Sequence, residues 1–205
     1  MRVRVVGAAL AAVLLSACAM LSAEAPLFTP VDQDPAFALA EGLWVAQESD
    51  CKINAQRSNP QQKTCLDWAR ITRANDGAWI VSSTGGDDDA PLRVVIAAAA
   101  PRGSHLLAPL YVAESVNQKD GEIGYGALVP RGDLSAGVRR LAVAGVGCDV
   151  VTDEAPVDGI TVTKEDGKVV HCTAKTQAAV REATRRAVIA SLADLGDSEL
   201  VFVRP

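Results

Sequence analysis

The sequence predicts an α+β fold, a mostly antiparallel sheet or partial barrel with a C-terminal helix packed on it. Three observations predict this. Short apolar runs rich in valine and alanine recur from Leu43 to Ala174, separated by turn residues at short, regular spacing. No repeat of solenoid length is present, which excludes a stacked array. Strong helical periodicity occurs near the C-terminus, from Thr176 to Leu195.

Residues 1–17 carry the three parts of a secretory signal. Arg2 and Arg4 form a basic start, Val5–Leu15 is an apolar run broken only by Gly7, and the small residues Ser16 and Ala17 precede a cut. The run is about half the ~20 residues that span a bilayer, so a permanent membrane helix is not expected.

Residues 18–33 read as the mature N-terminus and a tether, with Pro26, Pro30 and no apolar period. Leu27 and Phe28 are the residues able to dock it back onto the domain. A single domain is expected over residues 34–205. It opens with a short helix that Asp34 caps, Pro35 enters and Gly42 ends.

Strands are then expected at Leu43–Ala46, Ala69–Arg73, Trp79–Ser83, Leu92–Ala98, Leu106–Ala113 and Gly124–Val129, and further on at Arg140–Val146, Ile160–Thr163 and Val169–Thr173. Turn chemistry separates them at Asn75-Asp76-Gly77, Gly85-Gly86-Asp87, Pro101-Arg102-Gly103 and Glu165-Asp166-Gly167. The last is a hairpin signal, because Asp-Gly accepts the positive φ of a tight turn. In the C-terminal helix Val180, Ala183, Ala187, Val188 and Leu195 share one side, opposite Arg181, Glu182, Arg185 and Arg186. Leu200–Val203 can return as a final strand.

The segment Leu15-Ser16-Ala17-Cys18 resembles the lipobox of bacterial lipoproteins. That resemblance implies removal of residues 1–17, a diacylglyceryl thioether on Cys18 and an acyl group on its amine. Two or more chains anchor stably where one does not. In the family's sorting rule an aspartate after the cysteine retains the protein in the inner membrane. Ala19 stands there, so the resemblance implies an outer-membrane anchor with the domain facing the periplasm. A plain signal peptide, leaving Cys18 an ordinary thiol, is the alternative. No cofactor beyond the covalent lipid on Cys18 is expected.

Without residues 1–17, 188 residues remain (205 − 17), enough for one full core. Arg2 and Arg4 leave with the signal, so 18 basic residues face 25 acidic ones, a formal charge of −7 (18 − 25). An acidic chain without a basic stripe argues against nucleic acid and against charge-driven binding to anionic lipid. The partners expected are the membrane, through the anchor, and an envelope protein; the oligomeric state is open.

With Cys18 assigned to lipid, Cys51, Cys65, Cys148 and Cys172 remain. In an exported chain disulfides are the default, and four cysteines allow three connectivities. The close pairs Cys51–Cys65 and Cys148–Cys172 are preferred. A metal site from Cys148, Cys172 and His171 fits no ligand spacing, and no metal is expected.

Gly42-Leu43-Trp44 resembles the G-x-W that opens the first lipocalin strand, a triplet also present in avidins. The resemblance implies a barrel around an apolar ligand, with Trp44, Trp68 and Trp79 as candidate wall residues. The chain departs from that family in its 4% aromatic content and in lacking the later motifs.

Other lookalikes carry less. Asp87-Asp88-Asp89 are consecutive, so their side chains diverge where calcium ligands alternate. Ser104-His105 lacks a G-x-S-x-G elbow. Glu114 with Glu122 is an acid pair with no spacing to recommend it. Arg131-Gly132-Asp133 reads as a strand end. No catalytic residue is expected. The leading expectation is a non-catalytic envelope lipoprotein with a protein-interaction role, the alternatives being a binder of a small apolar ligand in the barrel and, more distantly, a hydrolase.

Overall fold

Turns fold each apolar run back against the one before it. A computed structural model of the chain describes residues 19–35, 37–48, 68–83, 90–99, 109–132, 137–152, 154–190 and 198–204. The strands are β1 Leu21–Ser22, β2 Gly42–Glu48, β3 Trp68–Arg73, β4 Trp79–Ser83, β5 Leu92–Ala98 and β6 Tyr111–Asn117. They continue with β7 Ile123–Pro130, β8 Arg140–Gly145, β9 Ile160–Glu165 and β10 Lys168–Ala174. Helix α1 spans Gln177–Ala190, and β11 spans Ser198–Arg204.

Strands β2 to β8 form an antiparallel meander. Strand β11 pairs antiparallel with both β2 and β8, with Val201 opposite Val45 and Arg140. The expected antiparallel sheet thus closes fully into a barrel, in the order β11-β2-β3-β4-β5-β6-β7-β8. Closure gives every barrel strand a neighbour on both sides, so none is a free sheet edge. A second sheet, β1-β10-β9, lies outside it. Its β9–β10 hairpin turns through Asp166 (φ 50°) and Gly167 (φ 76°), two consecutive positive values that suit Asp-Gly.

Two cores result. Inside the barrel lie Trp44, Ile71, Trp79, Val81, Val94, Ile96, Leu128 and Leu141. The second core covers the outer face of β5–β8, where Val95, Val112, Tyr125, Ala127 and Ala142 meet Leu21, Phe28 and the helix residues Val180, Ala183 and Ala187. That is why β5, β6 and β7 are buried almost continuously, whereas β3 alternates buried Ile71 with exposed Arg70 and Thr72. Alanines at the helix contact let its backbone approach the wall.

The N-terminal expectations need two corrections. Residues 19–33 are packed on the domain rather than extended as a tether, with Phe28 docked and Leu27 against the core as the sequence allows. Leu21 and Phe28 are buried, Leu21 donates its N–H to Val146 O at 2.8 Å, and β1 runs parallel to β10 with Leu21 opposite Cys172. The apolar outer wall needs this cover, so residues 19–33 are part of the folded domain that the sequence reading starts at residue 34. Nor is there a helix among the described residues of 34–42. The helical turn comes earlier, at Pro30–Asp32, where the Asp32 carboxylate accepts both the N–H and the hydroxyl of Thr29 at 2.8 Å. Residues 37–40 run extended, so that Phe37 and Leu39 enter the barrel core and Leu39 bridges Val138.

Candidate functional site

The barrel interior is the natural place to look for a site. Gly42 opens β2 at φ 136°, and Trp44 two residues later is fully buried inside. Its Nε1 donates to Ala40 O at 2.8 Å, and its ring meets Phe202 edge-on with centroids 6.0 Å apart. Trp79, first in β4, is 2% exposed and lies under the Arg73 guanidinium, 4.6 Å from the ring centroid. Among the described residues the buried Trp79 Nε1 has no hydrogen-bond partner. Phe37 packs on Tyr111 with centroids 4.2 Å apart.

Between these side chains remains an apolar cavity of about 20 Å³, lined by Leu39, Ile71, Trp79, Val94, Leu128 and Leu141. That space suits a water-sized guest, whereas organic ligands occupy pockets of roughly 300–1,000 Å³. Eight strands give an interior about wide enough for side chains to fill, and the described side chains leave this small space between them.

Of the three candidate wall tryptophans, Trp44 and Trp79 thus share the interior core. Trp68 begins β3 opposite Val45, and its side chain lies outside the described residues. Cys148 and Cys172 are joined by a disulfide, with Cα atoms 5.7 Å apart. The pair ties the turn after β8 to the outer sheet and is unavailable as thiolate ligands. Cys18, Cys51, Cys65, Asp87-Asp88-Asp89, Ser104-His105 and Asp133 lie outside the described residues. Among the described residues no group of three His, Cys, Asp or Glu side chains is placed to hold a metal ion, and no helix is long and apolar enough to cross a membrane.

Glu114 and Glu122 do not form a pair. Glu122 sits exposed in the turn before β7, while Glu114 is 1% exposed on the outer face of β6. The Glu114 carboxylate accepts the N–H of Leu27 at 2.7 Å, that of Phe28 at 3.2 Å and the Tyr125 hydroxyl at 2.9 Å. Burial raises its pKa above the ordinary carboxylate value, against the lowering effect of these donors. Tyr125 is also raised, chiefly by burial and then by the neighbouring carboxylate. All three partners donate, so the carboxylate acts as an acceptor that binds the N-terminal segment to the barrel. The signal for it in the sequence is a lone acid in Tyr111-Val112-Ala113-Glu114-Ser115-Val116.

Around this lock, Gln177 Nε2 donates to Leu27 O at 2.7 Å, and Arg181 Nε donates to Ala98 O at 3.0 Å while its guanidinium lies over the Phe28 ring. Ser22 Oγ lies 3.2 Å from His171 Nε2, a contact that sequence spacing did not reveal. The same hydroxyl also lies 3.2 Å from Cys172 O. The site that the described residues define is thus an apolar barrel interior with a small cavity and the unpaired Trp79 Nε1, locked on its outside by a buried acid. Comparison with known proteins finds no matching family model, no matching curated protein and no matching solved structure.

Proposed function

We propose that this protein is a lipid-anchored lipoprotein of the bacterial outer membrane whose periplasmic barrel is a non-catalytic interaction module. The anchor rests on the Leu15-Ser16-Ala17-Cys18 pattern. The observation that supports an interaction role is the filled interior. A cavity of about 20 Å³ favours recognition by the outer surface over an interior site. Crosslinking in intact cells followed by mass spectrometry tests this. A discrete heterologous adduct is expected, and recovery of monomer alone counts against the reading.

One observation favours a second reading, a lipocalin-like binder of a small apolar ligand. The Trp79 Nε1 is a buried donor without an acceptor, and such groups are costly to leave unpaired. A ligand carrying one acceptor on an apolar body would satisfy it if the surrounding side chains moved apart. Titration with a lipophilic fluorophore, following tryptophan quenching, decides. No saturable response removes this reading.

A further inference from the structure

We propose that the domain is seated directly on the lipid bilayer, with the corner around the Cys148–Cys172 disulfide against the headgroups. The proposal rests on lipidation at Cys18. Its basis is the lack of slack after that residue. Ala19 O already accepts the Cys148 N–H at 2.7 Å, Met20 bridges Gly147, and Leu21 is fully buried. Consecutive Cα atoms are about 3.8 Å apart, so an acylated Cys18 sulfur lies within roughly 10 Å of Ala19. A free tether of fifteen residues would reach about 50 Å; the packed segment abolishes that reach.

The pairing also defines which surface faces the lipid. Strand β1 runs parallel to β10, so the chain arriving from Cys18 lies alongside the first residues of β10. The Ser22–His171 contact fixes that neighbourhood. Val170, at the register shift between Val169 and His171, is an apolar side chain 41% exposed there. Lys164 and Lys168 of the same hairpin are matched by Glu165 and Asp166, with Asp149 nearby in chain beside the disulfide. Among the described residues of this corner basic and acidic side chains alternate, so covalent attachment sets the orientation and salt leaves it unchanged. The far side is equally defined. Strand β3 stands four places from β7 in the ring of eight, and Thr72 is exposed on its outer face.

The test uses the full lipidated chain in vesicles of phosphatidylethanolamine and phosphatidylglycerol containing lipids brominated near the headgroup. Tryptophan is introduced by Val170→Trp, by Lys168→Trp as a second site on the hairpin, or by Thr72→Trp on the far side, and the parent signal is subtracted. Quenching at the two hairpin sites is expected to exceed that at Thr72 by about twofold or more, at low and high salt alike. An insert of about 20 Gly and Ser residues between Cys18 and Ala19, with an r.m.s. length of ~25 Å, should remove the difference. Lipidated protein, verified by mass, that quenches equally at all three sites would overturn the seating alone. Absence of lipid mass on Cys18 would overturn the anchor and the seating together.

Discussion

The side chain of Glu114 and the backbone of Leu27, 87 residues apart in sequence, meet through a 2.7 Å hydrogen bond on the outer wall of the barrel. The bond joins the N-terminal segment to β6 beneath helix α1. It converts a stretch without periodic pattern into part of the fold.

Glu114→Ala should remove about 3 kcal/mol of stability, because the N–H groups of Leu27 and Phe28 and the Tyr125 hydroxyl lose their acceptor. Denaturant unfolding measures the loss. Hydrogen exchange at Leu27 and Phe28 should accelerate more than at the barrel strands.

The pH dependence of that site has a definite sign. The folded pKa of Glu114 is raised, so the native state holds a proton that the unfolded chain has released above the ordinary value of 4.5. Its contribution is full below 4.5 and is lost as pH rises through the raised folded value. The stability of the parent chain relative to Glu114→Gln should therefore decline with rising pH across that window. Asp32 is lowered, first by the Thr29 N–H, and Asp76 first by its hydrogen bond from Arg93. Their contributions run the other way, present above the ordinary aspartate range and lost as pH falls through their depressed values. A difference that grows with pH would contradict the assignment to Glu114.

The two interior tryptophans should respond unequally to phenylalanine. Trp44→Phe breaks the Nε1 bond to Ala40 O, while Trp79→Phe removes a donor that has no partner. Thermal or denaturant unfolding should place Trp44→Phe about 1 kcal/mol below Trp79→Phe. The reverse order would indicate a bound acceptor at Trp79.

Replacing both Cys148 and Cys172 by serine should cost about 3–4 kcal/mol by the chain-entropy estimate for a closed loop of this length. Equilibrium unfolding with and without reductant checks it. The double variant should respond less to reductant than the parent over the same transition, any remaining response belonging to Cys51–Cys65.

Gly159→Ala should destabilise by about 1–3 kcal/mol. Gly159 has φ +84°, and a Cβ there would lie 3.0 Å from Thr176 Oγ1 and 3.2 Å from the Ala179 Cβ. Those residues start α1, so loss of helical circular dichroism should accompany the drop in midpoint.

The parts legible in the sequence are those that local chemistry decides. Trp79–Ser83 and Leu92–Ala98 were expected as strands and occur with the same ends, because apolar β-formers stop at turn residues. Asp166-Gly167 takes the positive-φ turn that its side chains favour. The C-terminal helix follows from its apolar period, with Val180, Ala183 and Ala187 buried on the expected side.

The sequence by itself thus determined the strand-and-turn alternation, the terminal helix and the small-residue composition that lets the layers approach. Only the tertiary structure decided barrel closure, since β11 must find both β2 and β8 across most of the chain. It also decided the fate of residues 19–33, whose Leu21 and Phe28 have no periodic pattern and are buried only because β7 and β8 present an apolar outer face. The role of Glu114 was settled in the same way. A carboxylate in an apolar strand becomes an acceptor only when a distant backbone brings its N–H groups to it. Periods and turns are encoded over a few residues, whereas these contacts depend on which surfaces remain uncovered once the local elements have formed.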